Sequence, residues 1–137
     1  MQARLWLVLA LVLTPACLWR SYPEVMRVHL EVLSGLAEKV AYNTGEGQRP
    51  ASSDVIELTY PLQRARQFAY QYRSYAERES YRRFTAALDR YQALTEAVDA
   101  ARGDESRWAA ERPRFAAQYE AWRAAAEAAR AALAHES

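Results

Sequence analysis

From residue 22 onward, apolar side chains return every three or four positions, the spacing that lays one stripe along a helix. Tyr22, Val25/Met26, His29, Val32/Leu33, Leu36 and Val40 form the first stripe, which predicts a helix over residues 22–42 ended by Asn43-Thr-Gly45. Ser21-Tyr-Pro-Glu24 reads as its capping box, with Pro23 in the first turn, where a missing N–H is harmless. Glu46 to Ser53 (EGQRPASS) gathers Gly, Pro and Ser and is the main interhelical loop. Asp54 and Glu57 make a second capping box, and Pro61 falls in or just after the first turn that follows.

Two further stripes come next: Leu58, Leu62, Ala65, Ala69, Tyr72 and Ala76, then Tyr81, Phe84, Leu88, Tyr91, Thr95 and Val98. No Gly or Pro separates them, so a single helix over residues 55–102 is the alternative reading, giving three helices in all. The polar run Arg78-Glu-Ser-Tyr-Arg-Arg83 favours a break, because the shorter helices would give a helix of nearly fifty residues too little partner surface. Arg102-Gly103-Asp104 is a stop followed by a new N-cap. Trp108, Phe115, Tyr119, Trp122, Ala126, Ala129 and Leu133 then keep one phase across Pro113, so the last helix continues through it. Acid–arginine pairs such as Glu79/Arg83, Asp99/Arg102 and Glu120/Arg123 recur on the helices. The expected fold is all-α, an up-down-up-down four-helix bundle with one longer loop.

The first twenty residues break this pattern. Met1-Gln-Ala-Arg4 is a short basic segment, Leu5 to Leu13 (LWLVLALVL) is wholly apolar, and Thr14-Pro-Ala-Cys17 is a small-residue exit, the order of a secretory signal. Only 15 residues separate Arg4 from Arg20, about 22 Å of helix against a hydrocarbon core of about 30 Å. A retained anchor helix is therefore the second reading, and plain cleavage before Cys17 the third. The segment resembles the signals of bacterial lipoproteins, whose Leu-small-small-Cys lipobox is acylated on the cysteine and cleaved before it. Ala16 and Cys17 fit, while Thr14 stands where leucine is usual, with Leu13 one place early. The resemblance implies a signal peptide over residues 1–16, a helical domain over 17–137 and a membrane tether at acylated Cys17. Leu18 after that cysteine implies an outer rather than an inner membrane, with the domain facing the periplasm.

Cys17 is the only cysteine, which excludes an intrachain disulfide and an all-cysteine metal site. Eighteen basic against seventeen acidic residues leave a net charge of +1, so no global field draws the chain to nucleic acid. The four glycines are scattered, and no HExxH, GxSxG, GxGxxG or Walker pattern occurs. Neither His29 nor His135 follows a glutamate by three residues, as a di-iron bundle requires.

The most uneven stretch runs from Arg64 to Arg83, where Arg64, Arg66, Arg73, Arg78, Arg82 and Arg83 interleave with Phe68, Tyr70, Tyr72, Tyr75 and Tyr81. Guanidinium and phenol suit stacking, oxyanion binding and protein interfaces. Arg64, Arg66, Tyr70, Arg73, Tyr75, Arg78 and Arg82 are the candidate partner-binding residues. The expected function is a non-enzymatic, lipid-tethered interaction module of the cell envelope, without cofactor, serving an envelope protein complex. The alternative is a b-type haem electron carrier. Met26 on the first helix and His135 on the last resemble, in position only, the axial ligands of small periplasmic b-type cytochromes.

Overall fold

The computed structural model describes residues 21–45, 48–102 and 104–136. The signal peptide expected over residues 1–16 and the expected tether at Cys17 lie outside them, as do Glu46, Gly47 and Gly103. Among the described residues four α-helices follow one another: α1 (Tyr22–Gly45), α2 (Ser52–Gln71), α3 (Glu79–Ala101) and α4 (Glu105–Glu136). A single 3-10 turn, Arg73–Tyr75, lies between α2 and α3, and no strand occurs among the described residues. The break expected within residues 74–83 is present, beginning slightly earlier, after Gln71, so the long helix over 55–102 does not form.

Cross-helix pairs give the direction of each neighbour. His29 meets Phe68 and Lys39 meets Glu57, so α1 and α2 run antiparallel. Arg66 reaches Asp89 and the Tyr81 hydroxyl donates to the Ala69 carbonyl at 2.6 Å, so α3 returns along α2. Tyr91 meets Trp122 and Ser80 meets Glu136, so α4 returns along α3, its most extensive neighbour. Arg130 hydrogen-bonds Ser34, which closes α4 onto α1. The bundle is up-down-up-down.

Most core positions follow the apolar period. Leu58, Leu62, Ala65 and Ala69 are buried from α2; Phe84, Leu88, Tyr91, Thr95 and Val98 from α3; Trp108, Phe115, Trp122, Ala126, Ala129 and Leu133 from α4. The α1 stripe is rotated from the expected one. Leu30 and Ala37 are fully enclosed with Met26, Leu33 and Val40, whereas Val32 is 48% exposed and His29 only half-buried. α1 packs against both α2 and α4, so its buried face lies between the two neighbours and takes in Leu30 and Ala37 while Val32 turns outward.

Helix ends differ in instructive ways. α1 runs through Asn43-Thr-Gly45 because Thr44 is buried and its hydroxyl donates back to the Val40 carbonyl at 2.8 Å, which keeps that polar group within the helix. α2 begins at Ser52, so Asp54 is not its N-cap. Its carboxylate accepts the Ala51 N–H at 2.7 Å from inside the first turn. Glu57 is then free to bridge to Lys39 at 3.1 Å, and Pro61 falls in the helix interior rather than near its start. Asp104 caps α4 as expected, accepting from the Ser106 and Arg107 N–H groups at 2.9 and 3.3 Å. α4 continues through Pro113.

Candidate interaction surface

The same period that sends Leu58, Leu62, Ala65 and Ala69 inward places Ile56, Tyr60, Gln63, Gln67 and Tyr70 on the opposite face of α2. Their steps are 4, 3, 4 and 3 residues, all five are exposed and none is charged. Ile56 is 68% exposed, Tyr60 60% and Tyr70 65%. Every large apolar side chain exposed among the described residues lies on the first two helices: these three on α2, and Val28, Val32 and Tyr42 on α1. Arg64 borders the α2 seam and donates to the Tyr60 hydroxyl at 3.4 Å. At its lower end the Arg73 guanidinium lies 4.2 Å from the Tyr70 ring centre and donates to the Tyr70 carbonyl at 3.0 Å.

The seven candidate residues of the Arg/Tyr stretch therefore divide by what they touch. Arg64 and Tyr70 belong to the outer face of α2, and Arg73, in the turn that follows, lies over Tyr70. Arg66 is tied into the fold, bonded to Asp89 at 3.1 Å and to the Gln92 side chain at 2.5 Å. Tyr75 and Arg78 belong to one end of the bundle. There Tyr75 stacks on Tyr22 with centroids 4.5 Å apart and planes 15° apart, Tyr72 tilts against both, and Arg78 lies 4.6 Å over Tyr75. The Tyr22 hydroxyl and the Ser80 hydroxyl are 3.0 Å apart, and burial pushes the Tyr22 phenol up. Ser80 also bonds the Glu136 carboxylate through its hydroxyl and its backbone N–H. Arg82 and Arg83 share Glu79, at 3.1 and 2.9 Å, and their hydrogen bonds, Arg83's first, hold that carboxyl below the usual range.

Ile56, Tyr60, Val28, Val32 and Tyr42 were missed as surface residues. The signal was present for α2, since Ile56-x3-Tyr60-x2-Gln63-x3-Gln67-x2-Tyr70 is a second heptad series set opposite the core stripe.

Met26 and His135 are on the two helices whose Tyr22 and Glu136 ends meet at Ser80, so both lie toward one end of the bundle. Met26 is completely enclosed by the core while His135 is exposed. A planar cofactor between them would have to displace packed core side chains.

Elsewhere, a half-open groove of about 430 Å³ runs between α1 and α4, bounded by Ser34, Glu38, Tyr119, Arg123, Glu127 and Arg130. Among the described residues no group of three or more His, Cys, Asp or Glu gathers to hold a metal ion, and no helix is long and apolar enough to cross a membrane. The chain matches no protein-family model, no curated protein and no solved structure.

Proposed function

We propose that this chain is a non-enzymatic helical interaction module of the bacterial cell envelope, exported by residues 1–16, tethered through acylated Cys17 and docking a helix of an envelope protein on the outer face of α2. The observation that carries the reading is the uncharged seam Ile56, Tyr60, Gln63, Gln67 and Tyr70, exposed at alternating four- and three-residue steps. A partner helix meets that spacing with its own knobs. Tyrosine and arginine are the residue types that concentrate binding energy at interfaces, and Tyr60/Arg64 and Tyr70/Arg73 supply two such pairs whose tyrosines are ten residues apart. Arg64 and Arg73 border the seam and select a partner whose flanks are acidic. The tether adds effective concentration, so the seam itself needs only modest affinity.

The test is crosslinked capture from envelopes with the full-length protein, comparing the wild type with a Tyr60→Ser, Tyr70→Ser double variant and an Arg64→Glu, Arg73→Glu double variant. All four side chains are exposed, so the thermal midpoint should stay within about 3 °C of the wild type. The expected result is at least a tenfold loss of one captured envelope protein in both variants. Full capture by both variants rejects the α2 face as the docking surface.

A further inference from the structure

The α2 seam leaves unexplained why three aromatic and several cationic side chains collect at one end of the bundle. That end is where the described chain begins. Tyr22, the first residue of α1, is stacked on Tyr75 and hydrogen-bonded to Ser80, and Arg78 lies 5.8 Å over its ring. Arg73, Arg78, Arg82 and Arg83 are all exposed there. The Arg73 and Arg78 guanidinium carbons lie 4.2 and 4.6 Å from the centres of the Tyr70 and Tyr75 rings, cation–π contacts of a group suited to binding oxyanions.

Cys17 precedes Ser21 by four residues, a reach of about 14 Å even when fully extended. α1 has 24 residues and is about 36 Å long. A bundle held at Cys17 therefore keeps its Tyr22 end within one tether length of the membrane, whatever the far end does. Tyrosine and arginine are the side chains suited to the headgroup layer, the ring at the apolar boundary and the guanidinium on phosphate.

We propose that the end where half-buried Tyr72 and Tyr75 and exposed Arg78 pack over the buried Tyr22, with Arg82 beside them, is a platform that seats on lipid headgroups. The bundle then stands end-on to the membrane and the outer face of α2 stays free along its length. This inference rests on the tether at Cys17. The net charge of the platform is small, since Glu77, Glu79 and Glu136 share this end with the arginines. Attachment is the work of the tether, and the platform sets orientation. The alternative pose, lying flat on Val28, Val32, Tyr60 and Tyr70, would press the Lys39–Glu57 pair and Glu31 toward the lipid.

The experiment places full-length protein, purified from membranes, in nanodiscs of phosphatidylcholine and phosphatidylglycerol carrying a gadolinium-chelate headgroup, and reads amide relaxation residue by residue. Enhancement should be greatest at Tyr75, Arg78, Arg82 and Glu136 and at least fivefold weaker at Thr44, Asp54 and Asp104. Arg78→Glu with Arg82→Glu should flatten that gradient. A maximum along Val32, Tyr42, Ile56 and Tyr60, or equal enhancement at both ends, overturns end-on seating. The intact mass of the same sample reports acylation separately. An unacylated Cys17 overturns the tether and the premise of seating, whereas an acylated chain without the gradient overturns seating alone.

Discussion

Tyr91 sits at the centre of the bundle with its ring edge-on to Trp122, centroids 5.0 Å apart, and its hydroxyl has no hydrogen-bond partner among the described residues. Burial pushes its phenol strongly up, so it stays neutral, and the unpaired O–H is a cost that the ring contacts outweigh. Tyr91→Phe keeps the ring and removes the orphan group. The variant should be as stable as the wild type or more stable by up to about 1 kcal/mol in chemical denaturation. A loss beyond about 1 kcal/mol would mean that the hydroxyl has a bonded partner in solution, such as an ordered water. Trp122 next to it is the largest fully buried side chain, and its truncation to alanine belongs to the range of about 3–5 kcal/mol. The contrast separates what the ring system contributes from what its polar atom costs.

Each helix owes its burial pattern to the number of neighbours it touches, and this decides how much of it could be read from the chain. α4 presents one phase of large residues, Trp108, Phe115 and Trp122, in a run otherwise rich in alanine, so its inward face was unambiguous. α1 carries apolar residues around more than half its circumference, and only the positions of α2 and α4 decide that Leu30 goes in while Val32 stays out. The break after Gln71 was legible from the polar run 78–83, although no glycine or proline marks it. What remained hidden was the pairing across that break. Arg66 bonding Asp89, and Tyr75 stacking on Tyr22, join residues 23 and 53 apart in sequence, beyond any local period. The candidate surface was thus visible as composition and invisible as geometry. Within α4, Pro113 removes one backbone donor from a 32-residue helix that stays continuous. Pro113→Ala restores it and should raise stability by about 1–3 kcal/mol. A fall in stability would show instead that a bend at this point is needed for α4 to follow α3 and α1 together.

All four helices meet at the end where Ser80 bonds both Tyr22 and Glu136, and the joint has an electrostatic component that pH can address. The hydrogen bond from the Ser80 hydroxyl, then that from its N–H, holds the Glu136 carboxyl below its ordinary value of 4.5. A carboxyl lowered in the folded state contributes stability that is complete above the unfolded value and is lost as pH falls through the folded one. The Ser80 N–H belongs to the first turn of α3, so the ionised Glu136 also faces the positive end of that helix. Glu136→Ala should therefore cost about 1 kcal/mol near pH 7, the value expected of a charge-assisted bond discounted for partial exposure. The difference from the wild type should shrink steadily below about pH 4.5 and vanish once Glu136 is protonated in both states. Denaturation midpoints of both proteins from pH 7 to pH 2.5 measure this directly. A gap that stays constant over that range would mean that Glu136 acts by packing the end of α4 and not by its charge. Because this joint holds Tyr22 against the α2–α3 turn, the same titration also asks whether the aromatic end of the bundle keeps its shape when the C-terminal turn of α4 lets go.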